Sequence, residues 1–189
     1  MRLVRHLDDL PYPGLDAGSV VTIGAYDGLH LGHQKLLDRV TGYAGQHDLT
    51  SVVMSFEPTP KEFLAGSSPP ARLMRFREKF ESLASRGIDL FYCPRFAAPM
   101  RDIAAPDFIR RILIHGLNAR YVVVGDDFQF ARRREGTIEL PAAHGRAMVA
   151  ARRDDGRCHL GRALDLAGRR GRIGRSPGSA YRSGELVRY

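Results

Sequence analysis

The sequence predicts an α/β domain built on a parallel sheet, and three observations predict it. Between residues 19 and 140, β-branched apolar runs alternate with stretches whose apolar residues recur at helical spacing, in the order strand–helix–strand–helix–strand–helix–strand. The strand runs are continuously apolar rather than alternating, as a sheet covered on both faces requires. A glycine-containing turn separates the first run from the helix after it. Such a turn aims backbone N–H groups and the positive end of a helix dipole at an anion.

In chain order, residues 1–18 read as a polar lead-in broken by Pro11, Pro13 and Gly14. Val20 to Ile23 (VVTI) is the first strand. The turn follows as Gly24-Ala25-Tyr26-Asp27-Gly28-Leu29-His30-Leu31-Gly32-His33. Leu36, Leu37, Val40 and Ala44 then recur at helical spacing, which predicts a helix from about Leu31 to Gln46. Thr50 to Phe56 is the second strand. It runs into Glu57-Pro58-Thr59-Pro60, whose prolines forbid further helix or ladder pairing. Residues 64–71, rich in Gly, Ser and Pro, form a loop. Arg72 to Arg86 is a helix with Leu73, Phe76, Phe80, Leu83 and Ala84 as its apolar stripe, stopped by Gly87. Ile88 to Cys93 is the third strand and residues 94–105 a loop. Pro106 and Asp107 suit the first turn of a helix that buries Phe108, Ile109, Ile112 and Leu113 and ends at Gly116. Arg120 to Gly125 is the fourth strand, followed by Asp126-Asp127-Phe128-Gln129-Phe130.

At 189 residues the chain can bury one sizeable core. It holds no run of apolar residues long enough to cross a membrane. The opening MRLVRHLDDLPYP has acids and a proline where a signal peptide needs an apolar run. Cys93 and Cys158 lie far apart without metal-ligand spacing, so a reducing cytoplasm is the expected compartment. The net charge of +8 belongs almost entirely to residues 141–189, which carry 11 Arg, no Lys and 4 acidic residues. A basic tail can bind nucleic acid or an acidic membrane, but this one lacks Lys and interleaved aromatics, which argues against nucleic acid.

Ligands of parallel sheets bind beyond the carboxyl ends of the strands. Three informative stretches fall there: the turn with its histidines, Glu57-Pro58-Thr59-Pro60, and Gly125-Asp126-Asp127-Phe128. His30 and His33, three residues apart, fall on one face of a first helical turn. Donors, two imidazoles and no bulky side chains suit a polyphosphate. The plainer readings are a capping histidine at the helix start, a turn-capping pair at Asp126-Asp127, and a solvated face at Arg132-Arg133-Arg134.

The turn resembles the HxGH signature of the nucleotidylyltransferase superfamily. In its longer form, GAYDGLHLGHQ, it is similar to the amino-terminal domain of the bacterial bifunctional riboflavin kinase/FAD synthetases, with Tyr26 where the family more often has Phe. The similarity runs from about residue 19 to about residue 140. FEPTPKEFL resembles the family's FxPHP segment, with Thr59 in place of His. REKFESLASRGID resembles its next helix and strand. APDFIRRILIHGLNARYVVVGDDFQFARRREG resembles the helix, strand and DFxFG loop after it, with Ala131 in place of the last glycine.

The resemblance implies a Rossmann-like nucleotidylyltransferase domain. It implies adenylyl transfer from ATP to FMN, giving FAD and pyrophosphate. His30 and His33 would act as donors to the reacting phosphates, and Gly24, Ala25, Tyr26, Asp27, Gly28 and Gly32 would form the ATP and phosphate site. Phe56, Pro58, Thr59, Gly125, Asp126, Asp127 and Phe128 would line the flavin and nucleotide pocket. Mg2+ would be held through phosphates rather than by direct protein ligation. The family continues with a fifth strand, a Ser-Ser-Thr-x-Ile-Arg segment and a riboflavin kinase domain. Residues 141–189, dominated by 8 Gly, 8 Ala and 11 Arg, resemble none of these. They read as an atypical basic tail, explicable as an out-of-frame translation that the coding DNA would test. Adenylyl transfer is then expected to be weak or lost and kinase activity absent. The alternatives are a non-catalytic nucleotide- or nucleic-acid-binding fragment, or a nucleotidylyltransferase with another phosphate acceptor.

Overall fold

A computed structural model describes residues 1–9, 15–125, 128–136, 147–154 and 157–160, the last two stretches by backbone alone. The β-branched runs pair as the sequence predicts. β1 (Arg2–Val4), β2 (Ser19–Ile23), β3 (Thr50–Met54), β4 (Leu90–Tyr92), β5 (Ala119–Gly125), β6 (Ala147–Asp154) and β7 (Arg157–Leu160) form one sheet in the order β1-β4-β3-β2-β5-β6-β7. All neighbours are parallel except β6 and β7. The chain steps outward from β2 to β3 and β4, then returns to place β5 on the other flank of β2. The carboxyl ends of β2 and β5 therefore diverge at the point where the order reverses, the usual ligand crevice of such sheets.

Side chains alternate across each strand, and both faces are buried. On one face Val20, Val53, Phe91 and Val123 pack with Leu37, Val40 and Ala44 of α1 (Leu31–His47) and with Leu83 of α3 (Phe76–Ala84). On the other, Val21, Ile23, Val52, Met54, Val122 and Val124 meet Phe108, Ile109, Ile112 and Leu113. Each such side chain, fully buried, contributes about 1.5–3 kcal/mol, which is why no polar alternation survives in these strands. The helix carrying the second set starts as α5 (Ala105–Asp107) and continues π-helically over Phe108–Gly116.

Several boundaries differ from those the sequence predicts. The lead-in is not structureless: β1 adds a strand at the edge of the sheet, and the Val4 carbonyl accepts from the Cys93 N–H at 2.8 Å. β3 stops at Met54, before Phe56, and β4 is confined to Leu90–Tyr92. Pro60 does not forbid helix but opens one, α2 (Pro60–Ala65), because at the first helical position its missing N–H would have no partner anyway. The helix expected from Arg72 begins only at Phe76, and Leu73 is 78% exposed rather than part of the stripe. Asp27 takes the Leu73 and Met74 N–H groups, and Glu78 takes that of Arg75, so the helix starts after them. The loop 94–105 contains a short helix, α4 (Ala98–Arg101). Beyond residue 140, where the sequence predicts no strand, β6 lies parallel to β5 with Val123 opposite Val149. Pro11, Pro13, Gly14 and most of residues 141–189 lie outside the described residues.

Candidate phosphate-binding site

The signature turn leaves the carboxyl end of β2 with the Gly24 N–H still bonded to the Met54 carbonyl at 3.1 Å. The chain then reverses sharply. Tyr26 adopts φ 49° and drives its ring into the core with no exposure. Its hydroxyl meets the buried Thr22 hydroxyl at 2.6 Å, and burial pushes the phenol above its ordinary range. The extra oxygen relative to Phe is thus carried inside by a polar partner on the preceding strand. Gly28 sits at φ 66° beneath Leu73, whose side chain a Cβ would meet at 3.0 Å. Glycine suits that backbone without strain, and a Cβ there would also press on Leu73.

His30 and His33 come together at the start of α1. Their rings stack with centroids 3.7 Å apart and an interplanar angle of 18°. His30 is the N-cap: its Nδ1 accepts from the His33 backbone N–H at 3.3 Å. Nδ1 of His30 is therefore the unprotonated nitrogen, and its proton resides on Nε2. Nδ1 of His33 lies 3.2 Å from the Gly28 carbonyl, which can only accept, so that nitrogen carries a proton. Nε2 is then the nitrogen with which each ring can address a phosphate oxygen. A donor at Nε2 of His33 requires the imidazolium, whereas His30 donates in its neutral form. The capping reading and the phosphate reading of His30 coexist, because the cap uses one nitrogen and leaves the other. The N–H groups of Leu31 and Gly32, in the first turn of α1, have no intrahelical acceptor and add donors beside the rings.

The turn is braced from three sides. Both carboxylate oxygens of Asp27 accept from the backbone of the segment before α3, at 3.0 and 3.1 Å from Leu73 N and 2.8 Å from Met74 N. Ser55 Oγ and Lys79 Nζ both donate to the Ala25 carbonyl, at 3.2 and 2.7 Å. Asp27 is thus committed to backbone bonds. Among the described residues no group of three or more His, Cys, Asp or Glu side chains could hold a metal ion.

Thr59, at the position the resemblance gives to His, caps α2. Its Oγ1 accepts from the Glu62 N–H at 3.3 Å, and Glu62 Oε2 accepts from the Thr59 N–H at 2.7 Å. Arg72 pairs with both Glu62 and Glu57, and the guanidinium holds the Glu62 carboxyl below its usual range. Phe56 packs edge-on to Phe96 at 5.4 Å and borders the core face that also receives Phe128. Phe128 follows β5, its N–H bonded to the Gly125 carbonyl at 3.2 Å. Asp126 and Asp127 lie outside the described residues. Arg133 and Arg134 are exposed, and Arg132 lies 3.6 Å from Glu135.

Sequence reasoning missed Thr22, Ser55, Lys79, Arg72 and Glu62. Of these, only Glu62 carries a local signal, the Thr-x-x-Glu capping box.

The FAD synthetase family profile matches residues 13–153, past the limit near residue 140 that the motifs suggest. The chain is 38% identical over 140 residues to the bifunctional riboflavin kinase/FMN adenylyltransferase of Buchnera aphidicola subsp. Acyrthosiphon pisum. It is 40% identical over 140 residues to the protein of the same name from Escherichia coli K12. Each alignment covers 74% of this chain and 44% of the relative, so the chain spans less than half the length of these curated relatives. Among solved structures, a macrolide-efflux protein from Streptococcus pneumoniae superposes with a TM-score of 0.65 at 23% identity, over 79% of this chain and 50% of that one. A pantothenate synthetase from Thermus thermophilus superposes with a TM-score of 0.51 at 16% identity, over 80% of this chain and 62% of that one. These two likenesses concern the fold alone.

Proposed function

The chain belongs to the FAD synthetase family, and on that premise we propose that it transfers the adenylyl group of ATP to the phosphate of FMN. The observation that carries the reading is the stacked His30–His33 pair at the start of α1, set at the sheet's switch point.

An FMN phosphate oxygen forms a bond to the α-phosphorus of ATP, the bond from that phosphorus to the bridging oxygen breaks, and pyrophosphate leaves with the electron pair. The acceptor is already an oxyanion, so no side chain need become a nucleophile. The chain's own part is to place two anions in line and to stabilise the charge that develops on the transferring group. His30 Nε2–H and the imidazolium of His33 would donate to those oxygens, with the Leu31 and Gly32 N–H groups beside them. Gly24, Ala25, Tyr26, Asp27, Gly28 and Gly32 form the bed of the polyphosphate. Tyr26 and Asp27 serve by shaping that bed rather than by touching the nucleotide, since the one is buried and the other committed to Leu73 and Met74. Phe56, Pro58, Thr59, Gly125 and Phe128 border the flavin side. For Asp126 and Asp127 a flavin-side role rests on the family resemblance alone.

The donor set fits a cation held on the substrate. Asp27 and Glu57 are already engaged by backbone N–H groups and by Arg72, so the chain offers phosphate donors rather than a carboxylate cage. Mg2+ bound through phosphate oxygens and water would supply charge neutralisation.

The test is FAD formation from FMN, ATP and Mg2+, beside the His30→Ala/His33→Ala variant. FAD made by the wild-type chain and reduced at least a hundredfold in the variant supports the reading. A folded wild-type chain that makes no FAD refutes it. A different nucleotide–phosphate conjugate in an acceptor competition would replace FMN as the acceptor.

A further inference from the structure

Lys79 is 3% exposed, a burial at which lysine is rarely found without an ionic partner. It lies in α3 on the apolar face, three residues after Phe76 and four before Leu83. Among the described residues no carboxylate lies within ion-pair distance of its Nζ, which donates instead to the Ala25 carbonyl at 2.7 Å. Ala25 is itself exposed, so the ammonium reaches the signature turn from the inner side while the outer side faces solvent. The same carbonyl also accepts from Ser55 Oγ at 3.2 Å, so Lys79 is not needed to satisfy it.

We propose that Lys79 is a positioning residue for the polyphosphate. It holds the Ala25 carbonyl inward, so that the turn presents N–H groups outward, and it keeps a positive charge directly beneath the anion. The inference rests on the reading of the signature turn as the ATP site. A buried charge whose one hydrogen-bond acceptor among the described residues is already served by a hydroxyl costs the resting fold free energy. An anion arriving on the far side of the turn provides the missing counter-charge. Burial depresses the ammonium's pKa; Cys93, Glu57 and Asp27 oppose that and Arg72 adds to it. The Cys93 thiol is pushed up to about 11 by burial and stays neutral through the range tested below.

Lys79→Met removes the charge and the donor, and Lys79→Gln removes the charge while keeping a donor for Ala25. Melting temperature without ligand, and calorimetric affinity for pyrophosphate and for ATP, are measured on the full chain between pH 7 and pH 10. The expected result for Lys79→Met is a melting temperature no lower than wild type and an affinity for both anions weaker by roughly tenfold, the scale of one charge acting through partly solvated protein. Lys79→Gln is expected between the two in affinity. Wild-type affinity for ATP is expected to fall more steeply with rising pH than that of Lys79→Met, because only the wild type can lose a charge from beneath the turn. A purely structural lysine would give the opposite pair of results, a lowered melting temperature with unchanged anion affinity, and that outcome overturns the proposal while leaving the ATP site intact. Lys79→Gln binding as tightly as wild type overturns the role of the charge. A folded wild-type chain that binds neither pyrophosphate nor ATP overturns both the proposal and the reading of the site.

Discussion

Ala131 stands where the family resemblance calls for glycine, and the backbone there has not changed to suit it. Ala131 adopts φ 65°, ψ −171°, a region essentially reserved for glycine. The loop leaves it no alternative. Phe130 and Gly136 exchange N–H···O bonds at 3.1 and 3.0 Å, the Arg132 N–H is tied to the Ile103 carbonyl at 2.9 Å, and Glu135 accepts from the Ala105 N–H at 3.0 Å. A non-glycine residue held so costs about 1–3 kcal/mol. Glycine would remove that strain but add about 0.5–1 kcal/mol of unfolded-state backbone entropy. Ala131→Gly is therefore expected to stabilise by about 1 kcal/mol, raising the melting temperature by about 2–4 °C for a chain of this size. Thermal and urea unfolding of the two proteins side by side is the assay. A variant that melts below wild type, with an unchanged urea m-value, would refute the strain argument, because it would mean the methyl group is worth more than the backbone conformation costs.

Three further predictions concern the turn and the core. Tyr26→Phe leaves the Thr22 hydroxyl buried without the phenol 2.6 Å away and should destabilise by about 1–2 kcal/mol; adding Thr22→Val should recover most of it, read by urea denaturation. If the single variant is neutral, the hydroxyl pair carries no net weight. Asp27→Ala frees two backbone N–H groups that water can reach, so global stability should fall by less than about 1 kcal/mol while amide exchange at Leu73 and Met74 accelerates about tenfold or more. Unchanged exchange at these two amides would show that Asp27 does not brace the segment. The alkaline limit should be set early by Cys93: burial pushes its thiol up to about 11, against about 8.5 when unfolded, so the unfolded chain loses a proton that the folded chain keeps. Stability then falls as pH rises from about 8.5 towards 11, by at most ~1.4 kcal/mol per pH unit from this group. Tyr92, pushed up to about 12 by burial, adds to the fall above about pH 10. Lys79 works in the opposite sense, and Cys93→Ala should flatten the decline; a slope unchanged in that variant would remove Cys93 as its cause.

Much of the domain was legible along the chain because its signals are local. Unbroken β-branched runs such as Val20 to Ile23 can be satisfied only by a strand buried on both faces, so the parallel sheet follows from them. Apolar residues at helical spacing placed α1 almost to the residue, with Leu37, Val40 and Ala44 inward. Glycines and histidines at close spacing located the phosphate turn, because a strand, a turn and a helix start need nothing from elsewhere to be recognised. Where the sequence misled, a partner distant in the chain decided the outcome. Arg72 to Arg75 has the apolar spacing of a helix, yet Asp27, some 46 residues earlier, takes its N–H groups and delays the start to Phe76. Arg2–Val4 is too short to declare itself a strand until β4 offers it an edge. Ala147–Asp154 carries little β-branched residue and becomes a strand beside β5. Lys79 looks like an ordinary charge on a helix, and only the fold places it under Ala25, 54 residues away. Hydrophobic period and turn chemistry are properties of neighbours in sequence, so the chain alone determined the layers, the turn and the histidine pair. Which buried groups brace that turn depends on which elements the topology brings to the switch point, and that was decided only in three dimensions.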